Sequence, residues 1–281
     1  MSRNVAASVR ARLKQHADSR KEDFNLVLTH YGLERLLYRL SISPLASNYL
    51  LKGALLFSLW YGHAHRPTRD ADLLGMGPDD VDASVAAFRT IGAIVLDDGM
   101  VFDTASIKDT EIRKEADYGG VRVDIRAALD GARISLQVDI GFGDAVTPAP
   151  ETIHYPVLLD GFPAPKLRAY PKHTVIAEKL HAICLLGMAN TRLKDYFDLD
   201  ALMREDALKG PELMQAISAT FVRRKLPLPA GTPVGLSDAF ASDANKQTQW
   251  AAFLKKNRLD ADPFAIVVQR LRKGVEAVGF Y

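Results

Sequence analysis

The chain has 281 residues, 48% hydrophobic and 25% charged, which suits one large or two modest folded domains and excludes a disordered or fibrous protein. Lys plus Arg number 36 against 34 Asp plus Glu, so bulk charge does not announce a nucleic-acid binder. The single cysteine, Cys184, excludes an intramolecular disulfide framework, and the absence of a signal-like or membrane-length apolar run leads us to expect a cytoplasmic protein with no membrane partner.

Helices are predicted over 5–17 and 21–41, the second from the recurrence of Phe24, Val27, Leu28, Tyr31, Leu36, Leu37 and Leu40, with Ser41–Pro44 ending it. A strand over 48–52, a helix over 54–61 and a strand over 70–74 follow, then a turn at Gly75–Pro78 and a helix over Asp80–Ile91. Between 118 and 143 the period becomes two. Val121, Val123 and Ile125 alternate with Arg122, Asp124 and Arg126, and Leu136, Val138 and Ile140 alternate with Ser135, Gln137 and Asp139. An Asp-Gly turn between these runs predicts an antiparallel hairpin. Prolines at 148, 150, 156, 163, 165 and 171 mark an extended crossing segment, and helices are predicted over 171–187, 191–204, 211–224, 236–256 and 262–278. The fold class expected is α+β, with a mixed N-terminal domain over 1–165 and a mainly helical C-terminal domain over 166–281.

The run LKGALLFSLWYGHAHRPTRDADLL, residues 51–74, holds the clearest chemistry. Asp70 and Asp72 lie one residue apart on a strand, so both project to one face. Two convergent carboxylates are what a magnesium ion needs in nucleotidyl transfer, and Gly53 lets backbone approach a phosphate closely. A third carboxylate would activate the attacking hydroxyl; Asp139 is the best candidate and Asp124 the rival. Alone, D-x-D is short and common enough to be a solvated strand end. The loop with His63, His65, Arg66 and Arg69 suits a basic rim for triphosphate or RNA, since the histidines lack further ligands at metal spacing. Thr68 either meets phosphate or shapes the turn. Lys179, Lys194, Asp195 and Asp198 read, by helical spacing alone, as solvated charge and a surface salt-bridge lattice.

Together these segments resemble the AbiEii/AbiGii family of nucleotidyltransferase toxins, within the DNA polymerase-β-like superfamily. The resemblance covers YGLERLLYRLS (31–41), LKGALLFSLW (51–60), RPTRDADLLG (66–75), YGGVRVDI (118–125), LQVDIGFGDAVTP (136–148), YPKHTVIAEKLHAI (170–183), NTRLKDYFDL (190–199) and QWAAFL (249–254). It implies a polymerase-β-like nucleotidyltransferase core, a mixed sheet with flanking helices, whose glycine-rich motif is matched by Gly53–Ala54. It implies metal binding by Asp70 and Asp72, a phosphate contact for Lys179, and a late catalytic acid at Asp195 with Asp198 as neighbour; Asp139, the third carboxylate read from the strand pattern, is a candidate metal ligand beside that pair. Lys52, Thr68 and Arg69 become candidate nucleotide contacts, with Arg66 and Lys194 as further candidates. The activity implied is Mg2+-dependent transfer from an NTP to RNA, at the tRNA 3′ end, blocking translation under the control of a cognate antitoxin or in phage defence. The chain departs from the pattern at Ala54, where the superfamily has Ser or Gly, and at His173, where an acid is expected.

Overall fold

The computed structural model describes residues 4–77, 80–113, 119–205, 208 and 210–281, with the side chains of 111–113 excepted. Pro78 of the expected turn and Tyr118 at the start of the expected hairpin lie outside the described residues. Two units emerge: Met1–Gly143 with Glu151–Ala169, and Asp144–Pro150 with Tyr170–Tyr281.

The first unit begins with helices α1 (Val5–Arg20) and α2 (Phe24–Ile42). Asp23 starts α2 by accepting a hydrogen bond from the Leu26 amide at 2.8 Å. Strand β1 (Tyr49–Lys52), helix α3 (Leu55–Tyr61), strand β2 (Asp70–Gly75) and helix α4 (Val81–Gly92) come next. Strands β3 (Val101–Arg113), β4 (Gly119–Leu129), β5 (Ala132–Phe142), β6 (Glu151–His154) and β7 (Lys166–Ala169) complete one seven-stranded mixed sheet, in the order β3-β4-β5-β2-β1-β7-β6. β2 runs parallel to β5, and β1 parallel to β7; the other neighbours are antiparallel.

Asp130 and Gly131 both take positive φ (45° and 77°), the conformation of a tight hairpin turn, and this fixes the β4–β5 register. The alternation then sorts the faces. Val121, Val123, Ile125, Leu136, Val138 and Ile140 are all buried. Gly32 of α2 lies so close that an added Cβ would meet Leu136 at 3.0 Å, and Gly92 of α4 would meet Ile125 at 3.3 Å. Helices α2 and α4 therefore cover the apolar face, and the polar residues of the same strands line the opposite one.

A buried pair ties α2 to the segment before β7. Glu34 accepts from the Leu158 amide at 2.6 Å, and Arg35 bonds Glu34 at 2.7 Å and donates to the Pro163 carbonyl at 3.0 Å. Burial pushes the Glu34 carboxyl up to about 7, against the pull of Arg35.

The second unit is helical: α5 (Lys172–Leu186), α6 (Leu193–Leu202), α7 (Pro211–Arg223), α8 (Asp238–Ser242), α9 (Ala244–Asn257) and α10 (Phe264–Ala277). Its core stacks Tyr196 on Phe240 at 5.6 Å and sets Phe264 against Tyr196 at 5.2 Å and Trp250 at 5.3 Å. The helix expected over 236–256 is two helices, because Asp243 adopts an extended conformation and caps α9 through the Lys246 amide at 2.9 Å. β3, β6 and β7 went unanticipated. β3 has a register shift between Asp103 and Lys108 that breaks its alternation, and β6 and β7 are four-residue strands inside the proline-marked segment. No helix among the described residues is long and apolar enough to cross a membrane.

Candidate active site

On the face of the first unit's sheet opposite α2 and α4, strand register builds a charged row. Lys52 of β1 pairs with Asp72 of β2, Asp72 with Asp139 of β5, and Asp139 with Arg122 of β4. One step along, Asp70 pairs with Gln137, and Gln137 with Asp124. Cross-strand partners project to the same side of a sheet, so four carboxylates share this face with two cations. Asp70, Asp72 and Asp139 are part-buried, Asp124 is exposed, and Lys52 is buried.

Arg122 takes both oxygens of Asp139, from Nε at 2.8 Å and Nη2 at 2.9 Å. Turned with its oxygen toward the guanidinium, the Gln137 amide accepts from the same two nitrogens at 3.2 and 3.1 Å. The bond to Asp139, with the nearby charges of Asp139, Asp124 and Asp70, raises the Arg122 pKa further.

Thr68 Oγ1 donates to Asp70 Oδ1 at 2.6 Å, and the Thr68 carbonyl accepts from His30 Nε2 at 2.8 Å. Burial lowers the His30 pKa, so the neutral ring donates here. Thr68 thus shapes the turn into β2 and orients its first aspartate together. Gly53 has φ +76°, and a Cβ there would lie 2.0 Å from Asp72 Oδ2. The room that a missing side chain leaves is held by the Asp72 carboxylate, and only glycine accepts both the turn and that neighbour. Of the loop residues, Arg69 and His63 are exposed and Arg66 and His65 part-exposed; His65 stacks on Phe57 at 4.8 Å.

In the second unit α5 and α6 assemble another cluster. Lys179 Nζ donates to Asp195 Oδ1 at 2.8 Å and to Asp198 Oδ2 at 2.7 Å. Arg192 Nε donates to the other Asp195 oxygen at 2.7 Å. The Asp195 and Asp198 side chains are 1% and 0% exposed, and Lys179 13%. Burial alone would raise the Asp195 pKa, yet Lys179 and Arg192 overcome it and hold this carboxyl well below the usual range. A carboxylate so held is ionised and a weak proton acceptor. The surface lattice that spacing suggested is corrected: the bridges run from Lys179 and Arg192 to buried aspartates, and Lys194, which spacing set beside Asp198, stays exposed.

The donors at Asp70 and Asp72 are hard oxygens, and magnesium characteristically takes one or two protein carboxylates with phosphate and water completing its shell. That pair fits Mg2+. Among the described residues no group of three or more His, Cys, Asp or Glu side chains is gathered for a metal. Asp139, turned to Arg122, does not join them in this arrangement. Arg122 and Gln137 escaped the sequence reading as site residues, although the signal existed. A two-residue turn at Asp130–Gly131 pairs Leu129 with Ala132, and counting back along both strands pairs Arg122 with Asp139.

Two solved structures share this fold. A Helicobacter pylori crystal structure described as a candidate nucleotidyltransferase matches at 17% identity and TM-score 0.52, over 90% of this chain and 93% of that one. JHP933 from Helicobacter pylori matches at 17% identity and TM-score 0.53, over 90% and 91% of the two chains. The family model described as "Nucleotidyl transferase AbiEii toxin, Type IV TA system" matches residues 35–274, and the chain belongs to that family. No curated protein matches it. Family membership makes the chain a toxin-type nucleotidyltransferase of a type IV toxin–antitoxin system, with an antitoxin as the implied partner.

Proposed function

We propose that this chain transfers a nucleotide from an NTP to an RNA hydroxyl, the tRNA 3′ end, with Mg2+ at Asp70 and Asp72, and so blocks translation. The observation that carries the reading is the set of carboxylates on one sheet face, with Gly53 shaped around Asp72. A bound magnesium supplies charge neutralisation at the triphosphate. Around it, Thr68 fixes the Asp70 rotamer, while Lys52, Arg66, Arg69 and the Gly53–Ala54 backbone offer donors for phosphate. Asp139 is the group to accept the proton of the attacking hydroxyl. Lys179 contacts phosphate, as in the family pattern, and its bonds to Asp195 and Asp198 hold it aimed. The depressed pKa of Asp195 favours that holding role over proton transfer.

The test is incubation of the protein with total tRNA, Mg2+ and each labelled NTP in turn, beside Asp70→Ala. Label on tRNA that the variant loses is the expected result. Label on protein or a small molecule alone would keep the chemistry and move the acceptor. No label anywhere would leave a nucleotide- or RNA-binding relative without catalysis.

A further inference from the structure

Asp139 neighbours Asp72 in the row, one strand spacing of about 4.8 Å away. Both its oxygens are occupied by one guanidinium, and Gln137 presents its amide to that same group. A divalent cation at Asp70 and Asp72 would bring positive charge beside Arg122 and compete for Asp139. Arg122 is 38% exposed on a long side chain, and a guanidinium binds phosphate oxygens in the same forked geometry as carboxylate. A triphosphate therefore offers Arg122 a replacement acceptor at the moment a metal would claim Asp139.

We propose that Arg122 is a positioning residue that holds Asp139 in reserve and exchanges it for nucleotide phosphate, so that divalent metal and nucleotide enter this site cooperatively. The inference rests on the reading of Asp70 and Asp72 as the metal-binding pair. Metal alone must displace Arg122 from its carboxylate and leave it with only the neutral Gln137 amide. Nucleotide alone leaves Asp139 already satisfied. Only the two together compensate both changes, and this coupling is reciprocal between the ligands. An ordinary cross-strand ion pair on a half-exposed sheet face would stabilise the hairpin slightly and have no such consequence.

Mn2+ binding, followed by the electron paramagnetic resonance of the free ion, tests this with and without the α,β-methylene analogue of each NTP. In the unaltered protein the analogue should tighten Mn2+ binding about tenfold or more, and Mn2+ should tighten the analogue equally. In Arg122→Gln, Mn2+ alone should bind more tightly and the coupling should fall about fivefold or more, to the part that direct metal–phosphate contact supplies. Arg122→Lys keeps the charge without the fork and should restore only part of the loss. Asp139→Asn should lower the coupling to the same remainder, and serves if circular dichroism shows that Arg122→Gln has not folded. Full coupling retained in folded Arg122→Gln and Asp139→Asn would overturn the proposal and leave the metal site standing. Mn2+ binding that Asp72→Ala does not diminish, or no binding even with analogue, would overturn both readings.

Discussion

The two clusters use the same residue types in opposite surroundings. In the first unit, aspartates, a lysine and an arginine meet on one sheet face, with Asp124 exposed, because backbone register lines them up. In the second, a lysine and two aspartates from α5 and α6 meet in the interior because the helices pack. Register gives the sheet cluster its geometry without requiring every charge to be balanced at close range, since solvent screens Asp124 and part of Arg122. Packing gives the helical cluster no such latitude; its carboxylates are wholly buried and depend on Lys179 and Arg192. The sheet face is therefore the part built to exchange partners, and the helical cluster the part built to keep them.

One replacement made in both places breaks or sustains that contrast. Asp198→Asn leaves Lys179 half-compensated in the interior and should cost about 3 kcal/mol in chemical denaturation. Asp70→Asn keeps an acceptor for Thr68 but loses its charge, and should cost about 1 kcal/mol while abolishing nucleotide transfer. Equal destabilisation by the two would show that exposure does not separate the clusters. Gly53→Ala must strain a positive φ and push on Asp72, and should cost about 2–3 kcal/mol with transfer falling more than tenfold.

The units also answer pH with opposite sign. The Glu34 carboxyl, raised by burial from 4.5 to about 7, contributes stability that is present below 4.5 and lost as pH rises through about 7. Burial lowers the His181 imidazole from 6.5 to about 4, so its contribution is present above 6.5 and lost as pH falls toward 4. Thermal melts from pH 4 to 9 should show Glu34→Gln removing a loss of stability as pH rises from 4.5 to about 7, and His181→Gln removing a loss as pH falls from 6.5 to about 4, each on the order of 1–2 kcal/mol. The smallest effect sharpens the sheet site alone. Thr68→Val keeps the fold, loses the bond to Asp70 and should weaken transfer several-fold with stability down by about 1 kcal/mol.

Legibility in the sequence followed the same divide. Asp70 and Asp72 could be placed on one face of their strand, and Asp139 on the polar face of its own, because a strand's period is two and the β4–β5 hairpin carries its turn signal in Asp130–Gly131. The pairing of Asp72 with Asp139 needs β2 beside β5, a neighbourhood set by the whole sheet and absent from local pattern. Lys179 and Asp195 stood out only through family resemblance, because helical spacing relates residues on one helix and says nothing of which other helix they meet. β3 eluded the reading since its bulge destroys the alternation by which a strand announces itself.

The position of β7 bears on how the chain is made. β1 is covered on its outer side by pairing with β7, and the pair Leu51 and Ala169 lies 118 residues apart in sequence. During synthesis the edge of β1, with Lys52 at its end and Gly53 just beyond, stays unpaired until Ala169 has left the ribosome. An unpaired strand edge is what chaperones hold and aggregates recruit. A nascent chain stopped short of Ala169 carries both aspartates and the glycine turn without the strand that closes the sheet beside them. Ribosomes stalled in this stretch are thus where a folding factor would find its grip.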